Sequence, residues 1–331
     1  MEASRNRRAV VCACVLLMSP ALLRAKSTAP PPAPADNPTT KARVTLGRLL
    51  FFDKRLSRDL TVNCATCHDP RKGWTDGRPT PIGVRSQLGD RNTPTVLNAA
   101  YLPALFWDGR AATLEDQTKG PIANPKEMDM TLPEAAARIA AIKGYARYFR
   151  RAFGDEAATI DRIAKALAAF ERTITAAGSP YDRYAAGDRS ALSPAAARGL
   201  ALFRGRAGCA NCHSGPNFTD GQFHDIGVGA QRRIPDPGRF AATGRDGDRG
   251  AFKTPTLRNL DDTAPYMHDG SLATLADVLD FLDRGGQPDP RLSALIRPLG
   301  LTGAEKADLL AFLKSLDGDK HVVEAPVSLP R

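Results

Sequence analysis

The feature that most constrains this chain is a five-residue pattern that occurs twice. Cys64-Ala-Thr-Cys67-His68 and Cys209-Ala-Asn-Cys212-His213 share the spacing C-x-x-C-H and lie 145 residues apart. They use four of the six cysteines, while Cys12 and Cys14 fall within the first twenty residues. Two thiols on one turn followed by an imidazole suit covalent attachment of a c-type haem: the sulfurs add across two vinyl groups and the His reaches the iron as proximal ligand. A redox dithiol does not need the following His. A structural zinc needs further Cys or His, of which only His224, His268 and His321 remain. The motifs therefore predict two haems, one on Cys64, Cys67 and His68 and the other on Cys209, Cys212 and His213, with no cysteine left for a disulfide.

A chain of 331 residues holds two domains at roughly 150 residues each, one motif in each. Its 42% apolar and 25% charged residues exclude wholesale disorder and a polytopic membrane protein. Arg5, Arg7 and Arg8, an apolar run from Ala9 to Met18 and small residues near Ala25 read as a secretory signal peptide over residues 1–25, too short for a comfortable membrane span. Its removal takes Cys12 and Cys14 with it. A Pro-rich flexible tether is expected over residues 26–40, then an N-terminal domain over 41–177 and a C-terminal domain over 178–331, with the boundary at Gly178-Ser179-Pro180. No later stretch of 18 apolar residues occurs, so the mature chain is expected to be soluble and periplasmic. The formal charge of +10 falls to about +7 without the leader, which suits an acidic redox partner; no nucleic-acid motif accompanies it.

Ile160, Ile163, Ala164, Leu167, Phe170 and Ile174 recur at helical spacing, as do Leu272, Leu275, Val278, Leu279 and Leu282. Ser193-Pro194 reads as a helix start, and Thr302 with Glu305 as a capping box. Alternating strand patterns are scarce. The expected fold is mainly α: two cytochrome c-like haem domains with long loops. His68 is the only histidine before residue 213, so the first iron lacks a second His from its own half, and Met128 or Met130 would have to close it. An open iron can react with peroxide, whereas a six-coordinate one mostly passes electrons.

A series of ordered segments over residues 44–316 resembles the bacterial dihaem cytochrome c peroxidase and MauG superfamily. They are Leu46-Gly47-Arg48-Leu49-Leu50-Phe51, Arg91-Asn92-Thr93-Pro94-Thr95, Phe106-Trp107-Asp108-Gly109-Arg110, Gln117, Asn124-Pro125-Lys126-Glu127-Met128, Thr254-Pro255-Thr256-Leu257-Arg258-Asn259 and Ala264-Pro265-Tyr266-Met267-His268-Asp269-Gly270, besides the two haem motifs. The resemblance implies an N-terminal peroxidatic haem and a C-terminal electron-transfer haem. It also implies calcium between them, bound by the Asn92 side chain and the carbonyls of Thr263 and Pro265, with water completing the shell. It makes Trp107 the residue between the haems and puts Gln117 and Glu127 in the distal pocket of the first. A carboxyl with a raised pKa in a poorly solvated pocket can take a proton from one peroxide oxygen and return it to the other, so Glu127 is expected to be the acid/base and Gln117 its orienting partner. Members of the family are often dimers, so a homodimer is possible.

Two positions depart from the family pattern. Counting back 23 residues from Trp107, where activation-dependent members carry a distal His, gives Val84, which predicts a five-coordinate first iron. The distal Met or Tyr of the second haem falls on Leu282, leaving Met267, less so His268, or an open or water-bound iron as the alternatives. The expected function is a periplasmic dihaem peroxidase that reduces hydrogen peroxide to water with electrons from a small c-type cytochrome or a cupredoxin. The alternatives are a MauG-like enzyme that oxidises residues of a partner protein, and a non-catalytic dihaem electron carrier or sensor.

Overall fold

The computed structural model describes residues 30–331; the expected signal peptide, with Cys12 and Cys14, lies outside them. The helices in chain order are α1 (Lys41–Phe51), α2 (Cys64–Cys67), α3 (Leu114–Ala123), α4 (Leu132–Ala140), α5 (Lys143–Phe153), α6 (Ile160–Glu171), α7 (Pro180–Ala185), α8 (Pro194–Arg204), α9 (Phe240–Thr243), α10 (Leu275–Asp283) and α11 (Gly303–Lys314). Short strands β1 (Phe223–His224) and β2 (Phe252–Lys253) pair antiparallel, Phe223 opposite Lys253. Long loops join these elements, and the fold is mainly α as expected. Two of the helix starts read from the sequence are present: Ser193 accepts from Ala196 N–H, and Thr302 and Glu305 cap α11 reciprocally.

Two hydrophobic cores organise the chain. The first gathers Leu46, Phe51, Trp74, Phe149 and Phe170; the second gathers Leu200, Phe203, Phe218, Phe312 and Leu316. Each is built on one pair of helices whose backbones touch. A Cβ on Gly47 of α1 would lie 1.9 Å from the Ala166 carbonyl oxygen of α6, and one on Gly199 of α8 would lie 1.9 Å from the Asp308 carbonyl oxygen of α11. Only glycine allows that approach, which lets Phe170 and Phe312 fill the space beneath: ring centroids are 5.2 Å apart for Phe51 and Phe170 and 4.9 Å for Phe203 and Phe312.

The likeness between the halves goes beyond the two haem motifs. Residues 92–114 recur as 253–275, with Thr-Pro-Thr, Asn98 with Asn259, Asp108-Gly109 with Asp269-Gly270, and Ala-Thr-Leu at the end of each. Both copies fold alike. Asn98 and Asn259 take φ of 59° and 56°, Phe106 and Met267 take 65° and 75°, and the bridges Leu105 to Ala111 and Tyr266 to Leu272 fall at equivalent places. Thr113 and Thr274 then cap α3 and α10.

Two stretches at the ends of the expected domains are docked on the first half. The Pro-rich segment is not a free tether over its described part. Asn37 is fully buried and donates to the Glu115 carboxylate and the Lys165 carbonyl, Asp36 pairs with Lys165 at 2.8 Å, and the Pro32 carbonyl accepts from Arg172. The buried Arg172–Glu115 pair at 2.7 Å supplies the polar partners that tie this stretch down. The last residues of the expected C-terminal domain also return to the other half: Val323 and Leu329 pack on the first core, and the Arg331 carbonyl accepts from Gly144 N–H at 2.7 Å. No helix among the described residues is long and apolar enough to cross a membrane. Gly47→Ala and Gly199→Ala should each destabilise the protein by about 1–3 kcal/mol through overpacking, measured as a lowered midpoint in urea unfolding; an unchanged midpoint would contradict this account of the helix pairs.

Candidate active site

Each C-x-x-C-H segment forms one tight turn that places its His at the wall of a cavity. In the first, Asn63 and Thr66 cap α2, and the Asn63 amide also donates to the Phe52 carbonyl at 2.7 Å. His68 Nδ1 lies 3.1 Å from the Trp74 carbonyl, and His213 Nδ1 lies 2.9 Å from the Phe218 carbonyl. In both rings Nδ1 faces a backbone carbonyl, the kind of contact that orients a metal-binding imidazole; the Pro94 and Pro255 backbones also hydrogen-bond to the His68 and His213 rings. Burial lowers both imidazole pKa values, favouring the neutral form that ligates iron. Burial also pushes the thiols up, Cys67 to about 12 and Cys209 to about 11. A reactive redox dithiol has a depressed thiol pKa, so these pairs are the wrong chemistry for one. Cys212, Asp220 and His224 converge closely enough to suggest a metal site, but haem attachment consumes the Cys212 sulfur and leaves only the His224–Asp220 pair at 2.9 Å.

The first cavity, about 640 Å³, is lined by Cys67, His68, Phe106, Trp107, Gln117, Pro121 and Glu127 among others. The second, about 280 Å³ and mostly apolar, is lined by Cys209, Cys212, His213, Met267, Val278, Leu279 and Leu282 among others. Trp107, Lys253, His268 and the Asn92–Thr95 segment line both. The wall between them is held crosswise by the two repeats: Asn92 N–H donates to the His268 carbonyl at 2.7 Å, and Lys253 N–H donates to the Trp107 carbonyl at 2.8 Å. Trp107 Nε1 donates to the Asn92 carbonyl at 2.8 Å, and His268 stacks on Phe252 with centroids 3.6 Å apart.

Glu127 and Gln117 reach the first cavity from different elements, Gln117 from α3 and Glu127 from the loop after it. Burial raises the Glu127 pKa above its ordinary value, opposed by the hydrogen bond that Asn124 donates to Oε1 at 2.7 Å. Gly83 packs against the Lys126 and Glu127 backbone, and Val84 N–H donates to the Glu127 carbonyl at 2.9 Å. Val84 itself is buried in the first core and does not line the cavity. The count from Trp107 thus falls just behind the pocket, because residues 82–88 fold into a tight bridge against the Glu127 loop. Met128 and Met130 are likewise core residues that do not line the cavity. Asn92 uses its amide nitrogen on the Arg78 carbonyl at 2.9 Å. Its Oδ1 and the carbonyl oxygens of Thr263 and Pro265 accept no hydrogen bond among the described residues.

Residues 41–190 match the model of the di-haem cytochrome c peroxidase family. The chain is 46% identical to the methylamine utilization protein MauG of Methylorubrum extorquens over 89% of its length and 84% of that protein. It is 40% identical to the cytochrome c551 peroxidase of Nitrosomonas europaea, over 90% of this chain and 87% of the other. The chain belongs to the di-haem cytochrome c peroxidase family. A solved structure of a MauG-like protein associated with microbial copper homeostasis is also similar, with a TM-score of 0.82, 36% identity and coverage of 89% and 94% of the two chains. The protein is accordingly a peroxidase-type oxidoreductase with two c-type haems, and the paired thiols, the adjacent imidazoles and the two cavities fit that cofactor.

Lys253 was not singled out from the sequence, although the offset that relates the two Thr-Pro-Thr segments aligns it with Asn92. The same offset sets Val278 and Leu282 opposite Gln117 and Pro121, so the second cavity of this dihaem peroxidase has apolar side chains where the first has an amide. Replacing Cys209 and Cys212 together by Ala should halve covalently bound haem, from two per chain to one, by pyridine haemochrome assay; two remaining covalent haems would contradict the assignment.

Proposed function

We propose that this dihaem peroxidase acts in the periplasm, reducing hydrogen peroxide to water with electrons from a small c-type cytochrome or a cupredoxin. The observation that carries the reading is a half-buried carboxyl, Glu127, facing the same cavity as His68 and Gln117, with no Met or second His of its own half reaching that cavity. His68 and His213 are the proposed iron ligands. When bound, the first haem would supply redox chemistry for reducing the O–O bond of peroxide, and His68 would hold its iron. Glu127 would take a proton from one peroxide oxygen and return it to the other, so that peroxide, two electrons and two protons yield two waters. Gln117 offers an amide that orients peroxide beside Glu127. The indole of Trp107, in the wall common to both cavities, carries electrons from the second haem to the first.

The apolar lining of the second cavity suits electron transfer rather than peroxide chemistry. Leucine cannot ligate iron, so Met267, half-buried on that cavity's wall, is the proposed partner of His213. Asn92, Thr263 and Pro265 are the proposed calcium ligands, hard oxygens of the kind calcium takes; Gly73, just beyond His68, packs against Thr263 and brings the two loops together. A MauG-like reaction, in which the oxidising equivalents act on residues of a partner protein, is the second reading, favoured by the 46% identity to a MauG protein. It shares Trp107 and Glu127 and separates from peroxidase by its electron source: covalent modification of a partner without a reduced donor would favour it.

Glu127→Gln should depress peroxide turnover by roughly 10². The acceptor form of Glu127 is the carboxylate, and its pKa lies above the ordinary 4.5. Wild-type kcat/KM should therefore rise with pH through an apparent pKa above that value, and Glu127→Gln should abolish the limb. Unchanged turnover in the variant removes the role. Trp107→Phe should keep both haems yet slow donor oxidation, followed by stopped-flow absorbance; an unaltered rate would take Trp107 out of the path.

A further inference from the structure

Lys253 closes β2 and is 7% exposed, and its side chain lines both cavities. No carboxylate among the described residues pairs with it; burial is the single influence on its ammonium and draws the pKa down to about 8. Other cations on the first cavity are matched: Arg91 by Asp108 and Asp236, Arg110 by Asp108, Lys126 by Asp90, and Arg232 by Asp269. A buried unpaired charge is costly, and its backbone duty does not call for one. The equivalent residue of the first repeat, Asn92, makes the mirror hydrogen bond across the wall with a neutral side chain. Charge at this position therefore serves something that enters the cavities from outside the polypeptide. The peripheral anionic groups of a c-type haem are its propionate carboxylates.

We propose that the Lys253 ammonium is the counter-ion of a haem propionate at the wall between the cavities, a positioning residue that anchors that haem edge beside Trp107 and raises its reduction potential. The sign follows from Coulomb's law: reduction adds an electron to the haem, and a nearby cation stabilises the added charge. The inference rests on the two haems of the family and is independent of the role proposed for Glu127, so failure of one leaves the other standing.

The test is a spectroelectrochemical titration of the holoprotein and its variants, with haem content checked at two per chain. Lys253→Met should lower the midpoint of one haem, with a change of about tenfold in its reduction equilibrium, ~59 mV for one electron. Lys253→Arg should keep that midpoint near wild type. The haem that moves identifies whose propionate is bound. Unchanged midpoints of both haems in Lys253→Met overturn the proposal, as does a Lys253→Arg midpoint as low as that of Lys253→Met. If Lys253→Met does not take up both haems, resonance Raman of the wild type decides. A propionate bending band that shifts on exchange from H2O to D2O is expected, and no shift overturns the proposal.

Discussion

Two backbone hydrogen bonds, Asn92 to His268 and Lys253 to Trp107, hold the rest of the arrangement in place. Each ties the start of one half's Thr-Pro-Thr segment to the aromatic residue of the other half, so the two are related by the internal repeat. Because they cross, neither half can shift without breaking a bond that the other needs. The result is a shared wall, carrying the Trp107 indole, between two cavities that each present a haem-motif His. Arg91, bridging Asp108 of the first half and Asp236 of the second at 2.7 Å each, braces the same junction through side chains.

Burial does most of the chemical tuning around that wall. It favours neutral His68 and His213 imidazoles, pushes the Cys64, Cys67 and Cys209 thiols up and raises Glu127. Each shift follows from a low-dielectric interior that disfavours charge. The two cavities nonetheless differ in character. The two halves share turns, caps and glycine-mediated helix contacts, whereas Gln117 has Val278 as its counterpart, and Asn92 has Lys253. One scaffold thus carries a cavity lined by an amide and a carboxyl beside one lined there by apolar side chains.

Much of this was legible in the sequence. The haem motifs, the mainly helical fold and the caps at Ser193 and Thr302 stand out as residue types at fixed spacing, whereas Trp107, Gln117 and Glu127 are reached only through the family resemblance. What spacing alone misjudged depends on where loops turn back. Val84 falls at the counted position but is pinned behind Glu127 by a bridge that no periodicity announces. Pro-rich composition suggests a free tether, yet one buried amide, Asn37, docks it through Glu115 and Lys165. Lys253 was hidden because a lysine in a strand reads as a surface residue until the repeat aligns it with Asn92.

The central claim is that one iron faces an open, acid/base-equipped cavity while the other feeds it electrons. EPR of the ferric protein, followed by peroxide addition with a reduced small c-type cytochrome, tests this most directly. The account predicts a high-spin signal and peroxide-dependent oxidation of the cytochrome. Two low-spin haems inert to peroxide would contradict it.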